Sequence, residues 1–101
     1  MKSNALIVNC ARGEIVNSED LAEALESGRI FGAALDTVYP EPPTAEHPLM
    51  KISDGAKDRL IITAHVAGTS DKVFRNMLNG GINNMKRVAA GERPVNIQNG
   101  L

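Results

Sequence analysis

Ala5-Leu6-Ile7-Val8-Asn9-Cys10-Ala11-Arg12-Gly13 is the stretch from which the fold is read. Its first half is an unbroken apolar run, with none of the alternation of a half-exposed strand. Such a run suits a strand buried on both faces, as in a parallel sheet. Its second half turns polar and ends in glycine, which marks the exit from that strand. Downstream, Asn17-Ser18 offers an N-cap, and Glu19 and Asp20 favour the positive N-terminal end of a helix. Leu21, Ala24 and Leu25 share one helical face, and Gly28 stands where the helix stops. Ile30-Phe31-Gly32-Ala33-Ala34-Leu35-Asp36 follows as a second strand, its small residues permitting close approach by a neighbour.

From Pro40 to about Asp58 the sequence reads as a loop, since Pro40, Pro42, Pro43 and Pro48 exclude regular structure over its first half. Leu60-Ile61-Ile62-Thr63-Ala64 is a third apolar strand, ending at His65. Thr69 or Ser70 then opens a long helical pattern through Phe74, Leu78, Ile82, Met85 and Ala89, closed by Gly91. Phe74, Met77, Leu78 and Met85 form a packing stripe on it. Gly80-Gly81 costs about 1 kcal/mol per residue against alanine and leaves room for a kink or break. The order β-α-β-loop-β-α predicts an α/β fold: one half of a doubly wound, Rossmann-like parallel sheet, about three strands with flanking helices. A phosphate-binding Gly-x-Gly-x-x-Gly is absent, so the expected half is the second.

Composition narrows the function classes. The 101 residues suffice for one small domain. Lys and Arg number 11 against 12 Asp and Glu, for a net charge of -1, with no basic cluster; this argues against a nucleic-acid surface. No apolar run approaches the roughly 18 residues of a membrane span, and no secretory leader is apparent. The single cysteine cannot form an internal disulfide, so a cytoplasmic location is expected. The two histidines lack ligand spacing, and no metal site is expected.

Chemistry concentrates at the strand ends. The first strand runs into Asn9-Cys10-Ala11-Arg12-Gly13, the second into Asp36 and on to Glu41, the third into His65-Val66-Ala67-Gly68. Ligands of parallel sheets gather at the carboxyl edge. One rim therefore receives an arginine, two carboxylates and a histidine, the set needed for acid–base chemistry on an anionic substrate.

In these blocks the chain resembles the D-isomer-specific 2-hydroxyacid dehydrogenases. Met1 to Asn17 is similar to the family's signature segment. Leu21-Ala22-Glu23-Ala24-Leu25, Gly32-Ala33-Ala34-Leu35-Asp36, Glu41-Pro42, His47-Pro48-Leu49, His65-Val66-Ala67-Gly68 and Pro94-Val95-Asn96 follow in family order. The spacings from Arg12 to Glu41 and from Asp36 to Glu41 also agree with it. Ala64 replaces the usual proline before the histidine, and Asn17 the usual aspartate.

The resemblance implies hydride transfer between a 2-hydroxy acid and its 2-oxo acid, with NAD or NADP. It assigns Arg12 to the substrate carboxylate, as a two-donor fork that lysine cannot imitate. It assigns Glu41 and His65 to an acid–base pair, because an imidazole titrates near neutrality and a carboxylate behind it orients the ring. Cys10, Ala11, Arg12, Asp36, His65 and Gly68 become the cofactor-binding positions. It further implies that residues 1–101 correspond to the C-terminal portion of an NAD(P)-binding domain. The glycine-rich first half and a separate substrate domain are absent from the chain, which on its own is then expected to be inactive.

Each residue also has a plainer reading. Arg12 alone is a surface cation, Glu41 a solvated loop carboxylate, Asp36 a turn cap, and His65 a half-buried strand-end histidine. His47 reads as structural and Cys10 as a small buried residue rather than a nucleophile. The competing functional reading is a non-catalytic half-domain that folds by association and does not hold NAD tightly. A first strand lacking a neighbour on one side leads to the expectation of a homo-oligomer.

Overall fold

A computed structural model of the chain describes residues 1–100. The chain divides into two compact units, Met1–Ala67 and Gly68–Leu101. Among the described residues, the first unit holds strands β1 (Leu6–Asn9), β2 (Gly32–Leu35) and β3 (Leu60–Ile62), with helices α1 (Ser18–Glu26) and α2 (Asp54–Lys57) and short 3-10 turns at Gly13–Ile15 and Pro48–Met50. The second holds α3 (Asp71–Ala89). The sheet is parallel throughout in the order β1-β2-β3, with Val8 opposite Ala34 and Ala34 opposite Ile61. It is the Rossmann-like α/β arrangement expected. No described helix is long and apolar enough to cross a membrane.

Local rules account for both main helices. Asn17 Oδ1 caps α1 by accepting from the amides of Glu19 at 2.9 Å and Asp20 at 3.1 Å. The helix stops because Gly28 takes a left-handed φ of 68°, which lets the Gly28 amide reach Leu25 O and the Arg29 amide reach Ala24 O. The same pattern closes α3, where the amides of Gly91 and Glu92 bond Val88 O and Arg87 O. Ser70 Oγ caps its start by accepting from the Val73 amide.

The core of the first unit forms where α1 lies against the sheet. Leu21 and Leu25, one turn apart, are buried with Ile30, Ala33, Leu35, Val38, Leu49, Ile52 and Ala56, and Leu25 and Leu49 are sealed completely. Ile7, Leu60 and Ile62 pack against this cluster from the same sheet face.

Four sequence expectations are corrected. Within the first unit the strands are covered on one face only: Leu6, Val8 and Ile61, which point the other way, are 65%, 68% and 64% exposed. An apolar run marks a surface fit for burial, but whether each side receives a cover is a tertiary matter. The loop read from Pro40 to about Asp58 is irregular only in its first half; beyond it Pro48–Met50 and α2 are ordered. The reason is long-range. The Ser53 hydroxyl caps α2, while the Glu26 carboxylate at the end of α1 accepts from both the amide and the hydroxyl of Ser53.

The pair Gly80-Gly81 does not break α3, because glycine, unlike proline, keeps its N–H and clashes with nothing. Finally, the second unit by itself supplies no cover for the stripe of Phe74, Met77, Leu78 and Met85 among its described residues. Helical periodicity identifies the face without supplying its cover. Within the second unit the tail runs back along the helix, where the Asn84 amide group pairs with both the amide and the carbonyl of Val95, at 2.9 and 3.1 Å.

Candidate functional site

With all three strands parallel, the segments leaving their carboxyl ends emerge at one edge of the sheet. At the exit of β1, Asn9 is buried and its side chain shapes the next three residues. Its Oδ1 accepts from the Ala11 amide at 3.0 Å, and its Nδ2 donates to Arg12 O at 2.8 Å. Gly13 then passes against the backbone of Val38 and Tyr39, where a side chain has no room. Arg12 is left extended and exposed, its guanidinium donating to the Ala11 carbonyl at 2.7 Å, and no described carboxylate is ion-paired with it. Cys10 is exposed as well, contrary to the buried reading, because the chain has already left the sheet there.

At the exit of β2, Asp36 is 6% exposed. Its amide continues the ladder to Asn9 O at 2.8 Å. Its carboxylate is heavily used: Oδ1 accepts from the Thr63 hydroxyl at 2.6 Å and the Val66 amide at 2.9 Å, and Oδ2 from the Ala67 amide at 2.9 Å. The Thr63 hydroxyl foremost, then the Ala67 and Val66 amides and the neighbouring His65, hold the Asp36 carboxyl below the usual carboxylate range, against the opposing pull of burial.

At the exit of β3, His65 has a left-handed φ of 55°. Its Nδ1 lies 3.1 and 3.2 Å from the two carboxylate oxygens of Glu41, which sits in the proline loop between cis peptide bonds at Tyr39-Pro40 and Glu41-Pro42. An ionised carboxylate only accepts, so Nδ1 carries the proton and donates. Among the described residues Nε2 has no hydrogen-bond partner, and both side chains stay partly exposed. An imidazole oriented on one nitrogen and open on the other can pass a proton to or from a bound molecule. Beside it, Asp36, Glu41, Pro42, Pro43, Thr63 and Ala64 help line a cleft of ≈ 380 Å3.

The other histidine behaves differently. His47 is buried; its Nδ1 accepts from the Leu49 amide at 3.3 Å, and its Nε2 donates to Tyr39 O at 3.1 Å. Both ring nitrogens are spent on backbone, which leaves it a structural part of the loop. Of the residues singled out in the sequence, the structure joins Glu41 to His65 and ties Asp36 to the segment following His65. Arg12, Cys10 and Ala11 lie on the exit from β1, and Gly68 begins the second unit.

Sequence reasoning missed Asn9, Thr63 and Gly13 as organisers of this edge. Asn9 carried a readable signal, since asparagine at a strand exit commonly bonds the backbone two residues on. Thr63 carried none, because its partner is 27 residues away.

Comparison with known proteins bears on the family and the fold. The family profile described as D-isomer specific 2-hydroxyacid dehydrogenase, NAD binding domain, matches residues 1–67. A glyoxylate reductase of Thermofilum pendens is 35% identical over 98% of this chain and 28% of its own length. A D-isomer specific 2-hydroxyacid dehydrogenase of Xanthobacter autotrophicus, solved with NADPH and MES, superposes with a TM-score of 0.68 at 31% identity, over 95% of this chain and 37% of that one. The NAD-complexed enzyme of the same description from Lactobacillus delbrueckii ssp. bulgaricus gives 0.62 at 33% identity, over 98% and 32%. The chain spans under a third of the length of the curated relatives it matches, at 29%, 28% and 26% for three of them.

Proposed function

This chain belongs to the D-isomer-specific 2-hydroxyacid dehydrogenase family, matching its NAD-binding domain, and on that premise we propose that it contributes the acid–base half of an NAD(P)-dependent 2-oxo acid reduction. The observation that carries the reading is the His65–Glu41 pair at the carboxyl edge of a parallel sheet, with Nδ1 held and Nε2 free. Glu41 orients the ring. His65 Nε2 gives its proton to the carbonyl oxygen during reduction and takes it back from the hydroxyl during oxidation. Arg12, exposed and without an ion-pair partner among the described residues, meets the substrate carboxylate with its planar fork.

The donor set suits the reacting end of a nicotinamide cofactor, which when bound supplies or accepts the hydride. Cys10 and Ala11 are exposed at the end of β1, where such ligands sit in parallel sheets. Asp36 and His65 complete the cofactor-facing positions of the first unit. The residues correspond to the C-terminal portion of the cofactor domain, and the substrate is a small 2-hydroxy or 2-oxo acid. The proposed location is the cytoplasm.

A second reading has its own support. The bare sheet face of Leu6, Val8 and Ile61, and β1 at the sheet edge, favour a half-domain that folds by pairing with another copy and holds the cofactor weakly. Calorimetric titration of the 101-residue protein with NADH, accompanied by light scattering, separates the two. Saturable binding at micromolar levels supports the dehydrogenase reading. Absence of heat up to millimolar NADH, with an oligomer in solution, supports the other.

A further inference from the structure

His65 pays a conformational cost that its own hydrogen bonds do not explain. With φ at 55° it occupies the left-handed region, which any residue bearing a Cβ disfavours. That conformation rotates the next two amides so that they point the same way, forming a small anion-binding concavity. The anion is supplied internally. The amides of Val66 and Ala67 each donate to one oxygen of Asp36 at 2.9 Å, and the His65 amide donates to the Asp36 carbonyl, also at 2.9 Å. Three successive N–H groups therefore converge on one residue. The Thr63 hydroxyl donates to the same carboxylate oxygen as the Val66 amide, and the Asp36 amide is anchored on Asn9 O.

We propose that Asp36 is a positioning residue, whose carboxylate holds His65 in the left-handed conformation that aims its Nδ1 at Glu41 and leaves Nε2 open to substrate. Resting on the reading of His65 as the acid–base residue, this adds to it where the selectivity for one ring orientation comes from. Asp36 is 6% exposed and accepts three hydrogen bonds, so most of its acceptor capacity is committed inside the protein. Its hold on the His65 ring runs through these internal bonds.

The test is the imidazole tautomer, read from long-range 1H–15N spectra of the full 101-residue chain without substrate or cofactor. In the wild type the His65 ring is expected in the Nδ1–H form. Asp36→Asn preserves shape but turns an N–H of its own toward the Ala67 or Val66 amide, so attraction becomes repulsion. In that variant the His65 signal moves toward the Nε2–H form and the Val66 and Ala67 amides exchange at least tenfold faster, while His47 is unchanged. Thr63→Val, a milder change should Asp36→Asn not fold, shifts the same signals partway, and Thr63→Ser restores them. An unchanged His65 tautomer in either folded variant overturns the proposal. The dehydrogenase reading fails separately: if Arg12→Lys leaves 2-oxo acid binding untouched, that reading falls and the Asp36 result stands.

Discussion

A Cβ placed on Gly13 would stand 2.2 Å from the carbonyl carbon of Val38 and 2.5 Å from the Tyr39 nitrogen. Both are backbone atoms, so no side-chain rotation relieves the clash. The contact joins the exit of β1, which carries Arg12, to the segment leading into Glu41. Gly13→Ala must push these apart. We expect a loss of about 3 kcal/mol or more in urea unfolding, in the range of severe steric substitutions, together with loss of the Nδ1–H signature of His65. A variant of wild-type stability would refute the close approach.

Acid–base transfer through His65 predicts a rate defect rather than a binding defect. In the form of the protein that turns over, His65→Ala lowers kcat by about 100-fold or more with little change in KM, the range for loss of a general acid. Arg12→Lys does the reverse, raising KM by about tenfold as two-point geometry is lost. Steady-state kinetics with a panel of 2-oxo acids checks both, and an unchanged kcat for His65→Ala rejects the role assigned to it.

Arg59 holds the turn between α1 and β2. Its guanidinium donates to Ile30 O at 3.0 Å and Phe31 O at 3.3 Å, and also to Leu25 O at the end of α1. Arg59→Ala strands these carbonyls and is expected to cost about 2 kcal/mol, of the order of one or two charge-assisted bonds. Arg59→Lys recovers part of it. Thermal unfolding of the two variants measures the difference, and equal melting temperatures would remove Arg59 from the account.

Acid sensitivity follows from two carboxylates whose folded pKa lies below the ordinary value. Asp36 is lowered chiefly by the Thr63 hydroxyl, and Glu26 chiefly by the Ser53 amide and then its hydroxyl. A lowered folded pKa means that the unfolded chain binds protons first as pH falls. Their stabilisation is therefore complete above the ordinary carboxylate range of about 4, and is lost as pH drops through it toward the lowered folded values. Denaturation midpoints should be level near neutrality and fall below about pH 4. Thr63→Val and Ser53→Ala should each flatten that acid limb.

Much of the architecture was legible in the residues alone, because its signals are local. Asn17 and Ser70 cap amides two or three residues away, Gly28 and Gly91 close helices through carbonyls three to five residues back, and the apolar runs of β1, β2 and β3 need no distant partner to be recognised. The placement of the candidate residues was legible for a related reason: Arg12, Asp36 and His65 each follow a strand exit, and parallel pairing sends every exit to one edge. Tertiary structure alone decided the rest. It joined His65 to Glu41 across 24 residues, Thr63 to Asp36 across 27 and Arg59 to Leu25 across 34. It also left Leu6, Val8 and Ile61 bare while sealing Leu25. Contacts between distant segments leave no periodic trace in a chain. They depend on how far each backbone can approach, as at Gly13 against Val38, and on which face of the sheet a helix comes to cover.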